Sequence, residues 1–594
     1  MRGLLTLFAS LCLLGAACPR RDAPPSASPL GSETRGPLTS PASGAGAAPD
    51  AEPARLVQPR FEKQPQGARL AVLYTASVQG YVTPCGCTSD PLGGVSRLAA
   101  LLDEAHAAYG ERVLFLDAGD LLFEKPDDNL AADACQADAR IELLLSTYAR
   151  KGLFATVLGP LDDVRGAAFR DARLARHGIP TIGVPDAGRD LMAGAEHRGG
   201  FLVERAGVKI GITGFRADDE GRARLVQRAL LDEVARLRRE GAAAVLALAQ
   251  APRPLTEEIA SDVAGLDVVI QGRAPGEGPS APERLGAAGP WLVSAGAQAQ
   301  HIGVLEMVLQ GRGPSDPLTL DDRQAAAERR ARLLDKRIEQ YQEQLEDSDE
   351  GPRRAFLQEK LTAAKEERAR LFRDADKAPP PAGPSLLSRA VALARGAPEE
   401  PAAKAALDGY EASIPALVAK CEAGMTCPEP SREAPIYVGV EACAACHAGA
   451  VAFWRQQHVK APGKDASGKL VERTLSHASA WQTLVDDGKD KDRSCVGCHS
   501  VGFNQPGGYC RTSEVGALKN VQCESCHGPG SRHIELGGAK DALVHARVDE
   551  AVCRGCHHVP HIPTTESFVF EDKRKLILGP GHGEPRLADI IGGR

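Results

Sequence analysis

Between residues 68 and 315, short aliphatic runs alternate with longer segments rich in Arg, Ala and Leu. The runs "RLAVLY", "RVLFLDAG", "VKIGITG", "AAAVLALA", "LDVVIQG" and "WLVSAG" are too short for helices, and Gly or Asp stands at most of their exits. Such runs predict buried strands and the segments between them predict helices, so the region reads as an α/β layered domain. In a sheet of this kind a functional site belongs at the carboxyl ends of the strands. The period then changes. Across 319–375, Leu334, Ile338, Tyr341 and Leu345 recur at helical spacing, as do Leu357, Leu361, Ala364 and Leu371, with Gly351-Pro352 between the two sets. That pattern predicts a helical hairpin packed face to face like a coiled coil, its charged faces solvated and without chemistry. Residues 376–430, which contain "APPPAGPS", read as a linker with short helices.

Composition narrows the class. The chain has 594 residues, 43% hydrophobic and 25% charged, which suits several soluble domains. A net charge of −7 without a basic block offers nothing to nucleic acid. At the N-terminus, Met1-Arg2 and the apolar run Leu4 to Ala17 read as an export signal over residues 1–18. Its end, Gly15-Ala16-Ala17-Cys18, resembles a bacterial lipoprotein box, which implies lipidation of Cys18. Residues 19–67 are Pro, Ser, Gly and Ala with scattered charge, the composition of a disordered tether.

Sixteen cysteines in an exported chain first suggest disulfides. In residues 431–594 the spacing says otherwise. "CAACH", "CVGCH", "CESCH" and "CRGCH" place Cys443, Cys446 and His447, then Cys495, Cys498 and His499, then Cys523, Cys526 and His527, then Cys553, Cys556 and His557. Two cysteines three apart can form thioethers to one haem, and the adjacent His is held under its iron as the proximal ligand. Zinc sites do not need a His directly after every second Cys. The expected cofactors are therefore four c-type haems (Fe). Aromatics make up only 4% of the chain, so stacked porphyrins would supply much of this domain's apolar mass.

"YVGVEACAACH", "SHASAWQTL", "CVGCHSVGF", "VQCESCHGPGSRH" and the late "GHG" resemble the tetrahaem cytochrome family that takes electrons from hydroxylamine oxidoreductase. The resemblance implies a mainly α-helical and irregular tetrahaem cytochrome c domain with three distal histidines, leaving one haem five-coordinate. Carried over by motif, the distal ligands are His477, His533 and His582, with His561 and His458 as runners-up. An insertion, "HVKAPGKDASGKLVERTL", separates the first motif from His477.

Along the α/β region, "LYTASVQGYVTP", "GGVSRLAALL", "FLDAGDLLF", "VKIGITGF" and "DVVIQGRAPG" resemble the metallophosphoesterase domain of the 5′-nucleotidase type. That family holds two metal ions, and here most ligand positions are replaced. Ser77 and Gln79 stand in the first loop, Pro160 and Leu161 at the Asn-His position, and Gln250, Arg273 and Pro275 at the later histidines. Asp120 is the residual acid; Asp117, Asp162 and Asp163, at strand ends, could make a hard-cation site or serve as helix caps and solvated turns. One carboxylate cannot assemble two divalent ions, so phosphoesterase activity is not expected. Of the other cysteines, Cys85 and Cys87 could be a labile disulfide, a thiol pair or a metal contact. Cys421 and Cys427 are expected to pair with each other, and Cys135 and Cys510 have no evident partner.

The whole reads as a periplasmic or cell-surface electron-transfer protein of a bacterium, tied to a membrane only by a lipid anchor. Its expected partners are redox proteins, other cytochromes or quinone-linked complexes. Alternatives are an oxidoreductase with one open haem acting on a small nitrogen or oxygen species, and a nucleotide- or partner-binding scaffold.

Overall fold

The computed structural model describes residues 61, 69–85, 92–124, 131–184, 197–273, 278–313, 316–346, 351–377, 381–456, 459–464, 470–513, 516–557 and 569–579. The signal, Cys18 and most of the tether lie outside them, as do Cys87 and the side chain of Cys85.

Two sheets form the α/β region. The larger has eight strands in the order Thr319–Leu320, Ser385–Ala392, His301–Val308, Arg69–Thr75, Val113–Asp117, Leu153–Thr156, Thr181–Ile182, His197–Arg198. The smaller has six, with Ala244–Gln250 between Val208–Arg216 and Val268–Gln271. Alternation along each strand explains the layering. From Arg69–Thr75, Leu70, Val72 and Tyr74 point between the sheets to meet Ile210, Ile212, Leu246, Leu248 and Ile270. Ala71 and Leu73 point the other way, onto the helices Val95–Tyr109 and Ala131–Arg150. The far face of the smaller sheet is covered by Ala223–Arg239 and Arg253–Ala260. The result is helix, sheet, sheet, helix, the layered arrangement that the aliphatic runs predict.

The sheet extends past residue 315. Ser385–Ala392 pairs antiparallel with His301–Val308 along its whole length, from His301 opposite Ala392 to Val308 opposite Ser385. The two long helices Arg323–Glu346 and Pro352–Lys377 are therefore inserted within a sheet. They pack along a seam that includes Ala327, Ala331, Leu334, Leu357 and Ala364. The reading of 376–430 as linker with short helices is corrected here. It contains that strand and a 23-residue helix, Pro401–Ala423, whose Leu407, Tyr410, Ile414 and Val418 are buried in the α/β core. The strand's polar and apolar residues mix without a clean alternation, so nothing local marks it as sheet.

The cysteine pairing is also corrected. Cys421 bonds to Cys135 and Cys427 bonds to Cys510, with Cα–Cα distances of 5.9 and 5.8 Å. Cys421 sits in the last turn of Pro401–Ala423, facing Ala131–Arg150. The chain leaves that helix at Gly424, so Cys427 is carried away to the C-terminal region.

That region consists of short helices and turns, plus a two-stranded hairpin, Val459–Lys464 with Leu470–Leu475, in the insertion. Its apolar cluster is small, centred on Trp481, Leu484, Val496 and Tyr509.

Candidate functional site

Ser77, Gln79 and Asp120 stand just past strand ends at the carboxyl edge of the larger sheet. Ser77, Gln79 and Asp120 all have positive φ, at 45°, 57° and 52°, a conformation that costs non-glycine residues energy and persists where packing enforces it. Here the side chains are used up internally. Ser77 Oγ donates to the Gly272 carbonyl, Gln298 Nε2 donates to Gln79 Oε1 at 3.1 Å, and Gln250 Nε2 donates to the Ala118 carbonyl at 2.7 Å.

The acids are similarly engaged. Asp162 accepts from the backbone N–H groups of Asp120, Leu121, Leu122 and Gly159 at 2.8–3.1 Å. Burial, then the charge of Asp120, pushes its carboxyl up to about 8. Asp117 accepts from Thr75 Oγ1 at 2.6 Å, Thr156 Oγ1 at 2.8 Å and Gly119 N at 2.9 Å, and burial raises it to about 6. Asp120 accepts from Leu161 N at 2.8 Å. Burial raises its pKa, against the pull of that bond and of the charges on Arg273 and Arg216. Asp163 pairs with Arg216 at 2.7 Å and also with Arg170. Arg216 and Arg273 both pair with Asp218, at 3.3 and 3.0 Å. Guanidinium groups thus supply the positive charge beside Asp120. Among the described residues no group of three or more His, Cys, Asp or Glu is arranged to hold a metal ion. Pro275 lies outside them.

The Cys/His segment is built differently. Short helical turns, Val440–Ala444, Arg493–Val496, Cys523–His527 and Glu550–Arg554, carry or begin the four motifs. In a helical turn, positions i, i+3 and i+4 share a face, so both cysteines and the His of a motif point one way. The eight motif cysteines form no disulfide. His447 and His533 rings face each other with centroids 6.1 Å apart and planes 20° apart. His477 and His557 stand at 6.1 Å and 45°. Two imidazoles on opposite sides of one metal, each bonded at roughly 2 Å, have centroids roughly 6 Å apart. The donor set therefore fits an iron between each pair.

Ring orientation fits as well. The Nδ1 atoms of His499, His527 and His533 lie 2.5, 2.7 and 2.8 Å from the carbonyls of Ala480, His545 and Ala539. Donation from Nδ1 fixes the tautomer and leaves Nε2 as the metal-facing atom. Burial, then the charge of His557, lowers His477 to about 4. His477 is thus neutral, the form that binds metal. Among the described residues no imidazole ring stacks against that of His499. His582, His561 and His458 lie outside the described residues. Ile534, Leu536 and Val544, near His527 and His533 in sequence, are 50%, 55% and 63% exposed, apolar surface that a bulky apolar group would cover.

The sequence reading missed the residues that clamp the first motif to the third. Glu524, inside the third motif, accepts from the backbone N–H groups of Val438, Gly439 and Gly530 at 2.7–3.0 Å. Gln522 Oε1 accepts from Val440 N at 2.6 Å, and its Nε2 donates to the Ala517 and Lys519 carbonyls. Nothing in the motif spacing distinguishes them from their neighbours. Their burial is the signal, and only the fold reveals it.

Residues 442–528 match the family described as "Cytochrome c554 and c-prime". The C-terminal segment is thus similar to a c-type cytochrome, which implies covalently bound haem and haem-based electron transfer. A curated relative, cytochrome c-554 of Nitrosomonas europaea, is 36% identical over 97 residues. The match covers 16% of this chain and 39% of that protein, well under half the relative's length. Solved structures similar to the N-terminal part include a 5′-nucleotidase precursor from Thermus thermophilus, with 17% identity, TM-score 0.39 and 61% of each chain covered. The sulfate thiohydrolase SoxB of Thermus thermophilus has 16% identity and TM-score 0.35 over 43% of this chain and 56% of its own. The calcineurin-like phosphoesterase YfkN of Bacillus subtilis has 18% identity and TM-score 0.31 over 40% and 84%.

Proposed function

We propose that this chain is an exported electron-transfer protein carrying four covalently attached c-type haems, with the α/β domain as a non-catalytic docking or ligand-binding scaffold. The observation that carries the reading is the pair of histidine couples at 6.1 Å, each joining a motif histidine to a distant one. Haem iron, when bound, supplies one-electron chemistry by cycling between ferric and ferrous states. The chain's part is to hold and orient. His447 with His533, and His557 with His477, are the histidines that would hold iron. The Nδ1 bonds of His499, His527 and His533 to backbone carbonyls orient those rings, and the motif cysteines would supply the thioether links. His582, carried over by motif, would be a third distal ligand. With three distal histidines for four motifs, one haem would have no distal ligand, which favours a second reading as an oxidoreductase of small nitrogen or oxygen species.

The scaffold reading of the α/β domain is supported by the acids at its carboxyl edge, which accept backbone or arginine hydrogen bonds. Its occupant would be a redox partner protein, another cytochrome or a quinone-linked complex. Attachment through Cys18 in the periplasm or at the cell surface accords with the signal. Among the described residues no helix is long and apolar enough to cross a membrane.

Electron paramagnetic resonance of the oxidised protein, with haem quantified on the same sample, tests the reading. Four haems with three low-spin and one high-spin support it together with the open site. Four low-spin haems leave a pure carrier. Fewer than four haems overturn the relay.

A further inference from the structure

We propose that Gln136, a residue of the α/β domain, positions the second haem attachment site. The inference rests on reading the second motif as a haem site, and its argument is the clasp between the two regions. Gln136 is buried on the Ala131–Arg150 helix. Its Nε2 donates to Asp492 Oδ1 at 2.5 Å, and its Oε1 accepts from Arg493 N at 3.2 Å. Asp492 is the N-cap of the short helix Arg493–Val496, where its Oδ1 also accepts from Ser494 N at 3.0 Å. That helix contains Cys495 and runs directly into Cys498 and His499. A single side chain from the α/β domain therefore holds both the cap and the first N–H of the second attachment helix.

The surroundings give that side chain little freedom. Cys135, the preceding residue, is bonded to Cys421, and the residue after Cys421 is Glu422. Glu422 pairs with the guanidinium of Arg493 at 3.0 Å, both side chains being at most 4% exposed. Arg493 also donates to the Cys510 carbonyl at 2.8 Å and to Asn504 Oδ1 at 2.8 Å, and its guanidinium lies 4.8 Å over the Phe503 ring. Cys510 is bonded in turn to Cys427. Two disulfides and the residues adjoining them thus converge on the Asp492–Arg493 pair. A flexible tether would be enough to keep two domains together. The extra hardware fixes where the second attachment helix stands, and with it the ring of His499.

The test uses full-length, haem-loaded protein in three variants. Cys495→Ala/Cys498→Ala removes the second attachment, and the component missing from its spectropotentiometric titration identifies the second haem. Gln136→Met keeps the volume and removes the hydrogen bonds to Asp492 and Arg493, together with a longer one to Tyr410 at 3.5 Å. Cys135→Ser/Cys421→Ser keeps Gln136 and frees its backbone, which guards against failure of the Met variant to fold. The expected result is a shift in midpoint potential and resonance lineshape of that one component in both Gln136→Met and the serine variant, with the other components superimposing on wild type and the haem count unchanged. A lowered melting temperature with every component unmoved would make Gln136 a structural tie only and overturn the proposal, as would a common shift of all components. Failure of the underlying haem reading appears separately, as wild-type protein that lacks covalent haem or loses no component in the Cys495→Ala/Cys498→Ala variant.

Discussion

His447 and His533 face each other across a 6.1 Å gap with their rings 20° from parallel, although His533 follows the third motif and His447 closes the first. The pairing crosses between motifs, so each distal substitution has an address. His533→Ala should convert one haem from low-spin to high-spin, and that haem should be the one lost in Cys443→Ala/Cys446→Ala protein. His477→Ala should do the same for the haem attached at Cys553 and Cys556. Resonance spectra of these three variants and of Cys553→Ala/Cys556→Ala protein check this, and a His533→Ala effect on the Cys523 and Cys526 haem would refute the pairing.

The disulfides can be read directly. Peptide mapping of unreduced protein should recover Cys135 linked to Cys421 and Cys427 linked to Cys510, with no Cys421–Cys427 species. Because each link closes a long stretch of chain, replacing either pair by serine should cost about 2–4 kcal/mol, measurable as a lowered denaturation midpoint.

The Arg493–Glu422 pair is buried on both sides. Arg493→Leu should destabilise the protein by about 3 kcal/mol, because it leaves a carboxylate in the interior with only the Thr512 and Ser513 hydrogen bonds. Burial by itself raises the Glu422 pKa, yet the hydrogen bonds from Thr512 and Ser513 and the charge of Arg493 bring it below the ordinary value. A depressed carboxyl pKa contributes stability at pH above its unfolded value and loses it as pH falls through the folded value. Wild type should therefore lose this contribution in acid, and Arg493→Leu should lose less there.

Asp117 gives the opposite sign. Its folded pKa, raised to about 6 by burial, means the native state holds a proton that the unfolded chain has released. Stability then falls as pH rises from about 4 to about 6 and is level above that, a loss of about 3 kcal/mol. Asp117→Asn keeps a donor and an acceptor for Thr75 and Thr156. It should flatten this part of the pH–stability curve, which thermal melts between about pH 4 and pH 7 would show.

The α/β domain should hydrolyse no phosphodiester or nucleotide above the metal-only background when given manganese or zinc. Calorimetry should detect no tight pair of metal sites. Turnover abolished by Asp120→Asn would contradict the scaffold reading.

Much of this protein is set by short-range pattern. Aliphatic runs such as "RLAVLY" become strands because alternate residues must bury on opposite faces, and the motif spacing places two thiols and an imidazole on one side of a helical turn. That Ser77, Gln79 and Gln250 stand at strand exits is likewise visible residue by residue. Which histidine serves which motif, which cysteines join, and the return of Ser385–Ala392 into the sheet are decided by the tertiary structure. These are matters of distance between segments far apart in the chain, and a linear pattern carries no measure of that distance. Gln136 and Glu524 make the same point, since an ordinary polar residue becomes a clasp only when folding buries it against another segment's backbone.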